Sequence, residues 1–405
     1  MKYVVILGDG MADYPIGELG GKTPLQYAHT PNMDLLATYG EIGLVKTVPP
    51  GFPPGSDVAN LAVLGYDPGV YYSGRSPLEA VSMGIQLADD EVAFRCNLVT
   101  LSDEEDYQDK IMLDYSAGEI DTAGAALLIN ELQSKLGRPE LRFFPGISYR
   151  HLMVWQGGQT ECVLTPPHDI SDRKITSHLP AGPGAEVLID LMRKSAEILK
   201  DHPVNLNRTA RGMRPATSIW FWGQGKKPSL TSFYKKYGLT GSVISAVDLI
   251  RGLGLCAGLE VVLVEGATGN IHTNFAGKAR AALDELRRGK DFVYVHVEAP
   301  DEAGHQGDLP IKIKAIEEID EKVLGIILKG LAEFADYRIM VLPDHPTPLS
   351  LKTHTAEPVP YVMMKRGQLL QPDMPPRTYN EETAALEGTL FPEGHLLMNH
   401  FIKNK

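Results

Sequence analysis

The chain has 405 residues and a formal net charge of -12. That length exceeds what one hydrophobic core usually organises, so a main domain with a second or inserted domain is expected. The acidic balance excludes a nucleic-acid partner and an anionic membrane surface, because either would want a basic face, and any phosphate handled here needs local cations.

Cysteine occurs only at Cys96, Cys162 and Cys256, too widely spaced for a disulfide framework or a paired metal site. The N-terminus enters a strand directly after Lys2, with no apolar leader, and no apolar run reaches membrane length. A soluble cytoplasmic protein is expected.

Val4 to Gly8 reads as an apolar strand delivering Asp9. The glycines at 8 and 10 imitate a dinucleotide fingerprint, but Asp13 stands where the third glycine belongs. Ile16 to Thr23 imitates a phosphate loop, yet Ile16 replaces the first glycine and Pro24 follows where a helix should continue, so a turn is expected. Thr30-Pro31 reads as a capped helix start. A rigid Pro/Gly loop from Pro49 to Gly55 ends at Ser56, where an apolar helix begins, placing Ser56 among unpaired backbone N–H groups. Arg75 is expected to pair with Glu79.

From about Asn97 the texture changes. An acidic turn at Ser102 to Asp106 and an amphipathic helix from Thr122 to Leu136 suggest an insertion over 97–213, leaving 1–96 and 214–405 as the core. Within it, Arg150 and His151 open a strand, His168 and Asp169 sit on a proline-stiffened loop, and a long helix of about Gly184 to Asp201 leads to a basic linker containing Asn207, Arg208 and Arg214. Ser218 to Gly225 is expected to return to the main sheet, where strands and helices alternate again through Arg288.

Phe292 to Val297 is a β-branched and aromatic strand that breaks at Pro300 into a turn carrying Asp301 and His305. Lys312 to Phe334 reads as one long amphipathic helix whose Glu317, Glu318, Asp320 and Glu321 form a solvated face. Arg338 to Pro343 is a further strand delivering Asp344 and His345, with His354 on the loop beyond. In a parallel α/β sheet, ligands bind beyond the carboxyl ends of the strands, so these groups are placed for chemistry. The D-x-x-x-H spacing of Asp301 and His305 fits one metal ion with His354, while Asp9 with Asp344 and His345 fits a second. Mixed carboxylate and imidazole ligands suit Mn, Zn or Co and suit Mg less well. Two such ions make a phosphoryl-transfer site, for which Ser56 is the natural nucleophile.

The stretches Gly8 to Asp13, Gly55-Ser56-Asp57, Glu298 to His305, Pro343 to Pro348 and Thr353-His354-Thr355 resemble the alkaline phosphatase superfamily, and more narrowly the archaeal-type branch of cofactor-independent phosphoglycerate mutases. The resemblance spans essentially the whole chain. It implies a doubly wound, mostly parallel α/β core with an inserted, smaller α+β domain that closes over the substrate. It implies two divalent ions, manganese foremost: one on Asp301, His305 and His354, the other on Asp9, Ser56, Asp344 and His345. Ser56 would take the phosphoryl group of 3-phosphoglycerate and return it to the other hydroxyl. Arg150, His151, His168, Asp169, Asn207 and Arg208 match the branch's substrate-binding pattern, and Lys278 is a further candidate; the arginine pair of the longer enzymes is not recognisable. A homoserine kinase-like phosphotransferase and a phosphomonoesterase are the alternatives on the same fold, a metal-binding scaffold the alternative outside enzymes. A homo-oligomer stays open.

Overall fold

The structure is a computed structural model that describes residues 1–370 and 374–403. It divides into two compact units, Met1–Tyr72 with Ser229–Lys405, and Ser73–Pro228.

The first unit is built on an eight-stranded sheet. Numbered along the chain, its strands are β1 (Lys2–Gly8), β2 (Glu41–Val45), β8 (Gly241–Ile244), β9 (Glu260–Val262), β10 (Phe292–Val297), β11 (Tyr337–Leu342), β12 (Val359–Lys365) and β13 (Thr389–Phe391), in the order β13-β2-β12-β11-β1-β10-β8-β9. From β11 to β9 the pairing is parallel; only β12 runs antiparallel to its neighbours β11 and β2. Successive residues Val4, Val5, Ile6 and Leu7 are all fully buried, so both faces of the central strand are covered, as a parallel sheet requires. The expected α/β class, mostly parallel, holds.

One expected helix is not continuous. The run from Lys312 is an α-helix Leu309–Glu318, a π-helical segment Ile319–Leu324 and an α-helix Gly325–Leu331. The wider segment turns Asp320 inward, where it is 1% exposed and accepts the backbone N–H groups of Asn32 (3.2 Å) and Met33 (2.7 Å). Asp320 thus satisfies the start of the helix Pro31–Tyr39, a task expected of Thr30, whose side chain makes no capping bond.

The second unit is α+β. Its strands β3 (Glu91–Leu101), β4 (Met112–Asp114), β5 (Leu141–Phe144), β6 (Arg150–Gln156) and β7 (Ser218–Lys226) pair antiparallel throughout, in the order β4-β3-β6-β5 with β7 also on β3. The helices Thr122–Leu136 and Ala185–Lys200 share a core with the sheet made of Phe94, Cys96, Leu128, Leu188 and Phe221. Two expectations are corrected here. Ser218 to Gly225 does not rejoin the parallel sheet, because β3 is buried along its whole length and needs a partner on each side. For the same reason the unit is wider than 97–213: β3 begins at Glu91 and β7 ends at Lys226. Among the described residues no helix is long and apolar enough to cross a membrane.

Candidate active site

Three neighbouring parallel strands end level. Gly8 of β1 lies opposite Val297 of β10, Leu7 lies opposite Leu342 of β11, and Asp9 N–H donates to the Val297 carbonyl at 2.9 Å. The residues that follow each strand are therefore delivered to one place. Pro300 does not open a turn as expected; it occupies the first turn of the helix Ala299–Gln306, where a missing N–H costs nothing. The i, i+4 spacing then puts Asp301 and His305 on one helix face, with Oδ2 and Nε2 3.2 Å apart. Gly10 has φ +60, and a Cβ there would stand 2.6 Å from Asp301 Oδ1, so the approach of the two loops requires glycine.

Asp301, His305 and His354 can each point one ligand atom at a common centre, as can Asp9, Asp301 and His345, the atoms of each group lying within 4.8 Å of one another. Asp301 is shared. Asp344 is fully buried beside the second group, accepting N–H groups from Gly10 (3.1 Å), His345 (2.9 Å) and the Asn60 amide (2.8 Å), with Oδ2 3.4 Å from His345 Nε2.

The donor set suits divalent cations. His305 Nδ1 lies 3.0 Å from the Lys352 carbonyl and His354 Nδ1 3.0 Å from the Pro54 carbonyl. A carbonyl only accepts, so both Nδ1 atoms carry hydrogen, and the two Nε2 atoms, 2.9 Å from each other and 3.2 and 3.3 Å from the Asp301 oxygens, are left to share a proton or meet a cation. Only positive charge reconciles those atoms. Burial pushes His305 down, and Asp301 more than offsets it, to about 9; burial pushes Asp301 up, and His305 and His354 more than offset that, holding it well below the carboxylate range. In the second group, Asp9 is raised well above its ordinary value by burial and then by the charges of Asp344 and Asp301, and its Oδ1 is buried without a hydrogen-bond partner. Closely packed buried carboxylates with an orphan oxygen are costly unless a cation joins them.

Ser56 opens the helix Ser56–Val63, with Gly55 at the cap, and its Oγ is 3.1 Å from His345 Nε2. Asn60, one turn on, ties that helix to the strand ends: its amide donates to the Ser56 carbonyl (2.9 Å) and to Asp344 Oδ2 (2.8 Å), while its Oδ1 accepts from Tyr294 Oη (2.6 Å). Thr347 Oγ1 donates to Asp301 Oδ1 at 2.5 Å, and the loop bearing it is held by Lys312, 0% exposed, which donates to the Thr347 carbonyl and to Asp13 Oδ2, both at 2.7 Å.

The expected substrate-binding residues separate into distinct environments. In the second unit, Arg150 covers the Tyr149 ring at 5.1 Å, Tyr149 meets Tyr115, Tyr115 meets His168, and His168 meets Trp222 at 5.2 Å, so Arg150, His168 and the adjoining Asp169 belong to one aromatic and cationic patch. Arg75 and Arg95 lie over the same Trp222, and both pair with Glu79. His151 is instead 1% exposed inside the unit, accepting from Gly146 N–H, and burial pushes it down to about 3. Arg208 is 5% exposed, and its N–H groups serve the carbonyls of Arg214 (2.9 Å) and Ala117 (2.7 Å). Asn207 is exposed on the helix Pro203–Ala210. Lys278, in the first unit, is no surface lysine: it is 1% exposed, donates to the His296 carbonyl at 2.9 Å, and is lowered to about 8 by burial against the opposing pull of Glu298.

A family model described as 2,3-bisphosphoglycerate-independent phosphoglycerate mutase matches residues 37–205. A Geobacter sulfurreducens protein named a probable 2,3-bisphosphoglycerate-independent phosphoglycerate mutase is 55% identical over 98% of both chains. A Methanosarcina barkeri protein carrying that name without the qualifier is 54% identical over 90% of both. The chain belongs to this family of mutases. It is accordingly an enzyme of the isomerase class. A solved cofactor-independent phosphoglycerate mutase from Thermoplasma acidophilum is 26% identical, covers all of both chains and superposes with a TM-score of 0.62; a Pyrococcus horikoshii protein structure gives 30% and 0.79, covering 100% of this chain and 97% of the other.

Several residues that build the site escape pattern reading. Asn60 is signalled only by being a polar residue four positions after Ser56 on an apolar helix, and His296 only by interrupting an apolar strand. Thr347 falls in a stretch that resembles the family but has no pattern of its own to mark it, and Lys312 carries no signal at all, since a loop threonine and a helix lysine are ordinary.

Proposed function

We propose that the chain interconverts 3-phosphoglycerate and 2-phosphoglycerate through a phosphoserine at Ser56, with two divalent ions and without bisphosphoglycerate. The observation that carries this is Ser56 Oγ, 3.1 Å from His345 Nε2, at a helix start beside two groups of metal-type ligands that share Asp301. Asp301, His305 and His354 would hold one ion, and Asp9, Asp344, His345 and Ser56 would hold the other; mixed carboxylate and imidazole ligands suit manganese, zinc or cobalt, and manganese is the ion we favour. Bound there, the ions would neutralise phosphoryl oxygens and lower the pKa of the serine hydroxyl.

The chain's own groups do the rest. Ser56 Oγ attacks phosphorus, the bond to the glycerate O3 breaks, and the hydroxyl proton of Ser56 leaves so that O3 is released as an alcohol. The glycerate turns, O2 attacks the phosphoserine, the Oγ–P bond breaks, and the O2 proton passes to Oγ, restoring the serine. No water is consumed. Helix N–H groups at Ser56 favour the anionic phosphoryl group. Asn60 fixes the serine backbone relative to Asp344, and Arg150 and His168, on the aromatic patch of the second unit, are candidates for holding substrate. To the unit Ser73–Pro228 we assign the exclusion of water, without which the phosphoserine would hydrolyse.

A phosphorus NMR time course on manganese-loaded protein with 3-phosphoglycerate and no bisphosphoglycerate tests the reading, with a parallel sample holding ATP and homoserine. Appearance of 2-phosphoglycerate, abolished by chelator, is expected. Free phosphate alone would make the chain a phosphatase, and phosphohomoserine with an inert first sample would make it a kinase.

A further inference from the structure

Asp9 uses its two oxygens differently. Oδ2 is 2.9 Å from His296 Nε2, while Oδ1 has no hydrogen-bond partner and points to the second ligand group, 3.6 Å from His345 Nε2. His296 is 0% exposed at the end of β10, and its backbone is fastened by the Lys278 ammonium on its carbonyl. Behind the ring, Nδ1 lies 3.2 Å from Ser245 Oγ. That oxygen also accepts the Val247 N–H at 3.0 Å, and the direction of its bond to the ring is set at the far side: an ionised Asp9 carboxylate only accepts, so the ring hydrogen sits on Nε2 and Nδ1 takes the Ser245 hydroxyl hydrogen. Nε2 then carries the ring hydrogen and donates it to Asp9.

We propose that His296 is a positioning residue that holds Asp9 as a ligand through Oδ1 alone, with Ser245 selecting the imidazole tautomer that does so. A carboxylate left to itself can bind a cation through one oxygen or two. Occupying Oδ2 removes the second choice and fixes the rotamer, so the ion on Asp9 meets a ligand already aimed. His296 and Ser245 have no contact with the His305 and His354 rings, so the two ions should depend on them unequally. The inference rests on the two-metal reading above.

The test is titration of metal-stripped full-length protein with Mn2+, reading free Mn2+ by electron paramagnetic resonance, alongside the melting temperature of each metal-stripped variant. Wild type should bind two ions. His296→Phe should weaken one of them roughly 10- to 100-fold and leave the other unchanged, the usual range for loss of a group that orients a ligand. His296→Gln, which keeps an N–H donor, should restore most of the affinity. Ser245→Ala should weaken the same ion several-fold, and it carries the test by itself if His296→Phe does not fold. The proposal is overturned if neither variant separates the two affinities, or if both affinities fall together with the metal-free melting temperature, which would make His296 a structural support. Binding of a single ion by wild type would overturn the two-metal reading instead, and this inference with it.

Discussion

The two units use the same residue types to opposite ends. In the parallel sheet, aspartates and histidines leave three adjacent strand ends and converge, with Asp9 Oδ1 left without a hydrogen-bond partner and the Nε2 atoms of His305 and His354 facing each other. In the antiparallel unit, arginines and histidines of similar promise divide. Arg150 and His168 meet an aromatic patch, whereas Arg208 is consumed by backbone carbonyls and His151 is sealed in the interior. A residue's chemistry is set by what its donors have left over. Strand topology leaves much at the first site and little at Arg208.

The sharpest break in this comparison is Ser56→Ala. Removing the proposed nucleophile should cost roughly 10³-fold or more in mutase rate while Mn2+ binding to Asp301, His305 and His354 persists, since the lost hydroxyl is not among those ligands. A rate within tenfold of wild type, measured in the coupled assay, would remove the phosphoserine from the mechanism. Next in size is Lys312→Met. It strips a fully buried Asp13 partner and releases the Thr347 loop, so a loss of about 3–5 kcal/mol in denaturant unfolding is expected. An unchanged midpoint would mean that the buried pair contributes nothing to holding Asp301.

His151 gives a pH signature confined to the second unit. Its folded pKa of about 3 lies below the ordinary value of 6.5, because burial disfavours the charged ring. The unfolded chain therefore binds the proton first. The stability from keeping His151 neutral is complete above about pH 6.5 and is lost as pH falls toward 3, on the order of 3 kcal/mol by pH 4. His151→Leu should flatten that acid limb of the melting curve at a cost of about 1 kcal/mol at neutral pH, for the bond from Gly146. A variant whose acid limb matched wild type would place the sensitivity elsewhere.

What was legible in the sequence follows the same division. The three strand ends were readable because an apolar run followed by Asp is a local pattern, and parallel neighbours in register then bring distant segments together without further information. The Pro/Gly loop marked Ser56 as a helix start, and only the metal-type residues elsewhere in the chain made it a candidate nucleophile. The partners were not: Asn60, Thr347, Lys312 and His296 act across separations of up to a few hundred positions, as Lys312 does on Asp13 at 299. The edge of the inserted unit was misjudged because β3 and β7 are as apolar as core strands, and only pairing tells which sheet owns them. Asp320 was misjudged because a π-helical segment shifts the face that a regular helix would expose.

Arg150 and Arg208 provide the finest test, since the resemblance made both expected substrate-binding residues and only one has the surroundings for it. Arg150 is exposed at the start of β6 against a tyrosine ring, so Arg150→Ala should raise KM for phosphoglycerate by about tenfold, near 1.4 kcal/mol, and leave the melting temperature unmoved. Arg208 reaches two carbonyls at once with a rigid fork. Lysine cannot reproduce that geometry, so Arg208→Lys should cost about 1–2 kcal/mol of stability with KM unchanged. The opposite assignment, a KM effect at Arg208 and a stability effect at Arg150, would mean that the aromatic patch is structural and that Arg208 breaks its backbone bonds when substrate arrives. Measuring both variants for both quantities separates the two cases, because each arginine predicts a null result where the other predicts a change.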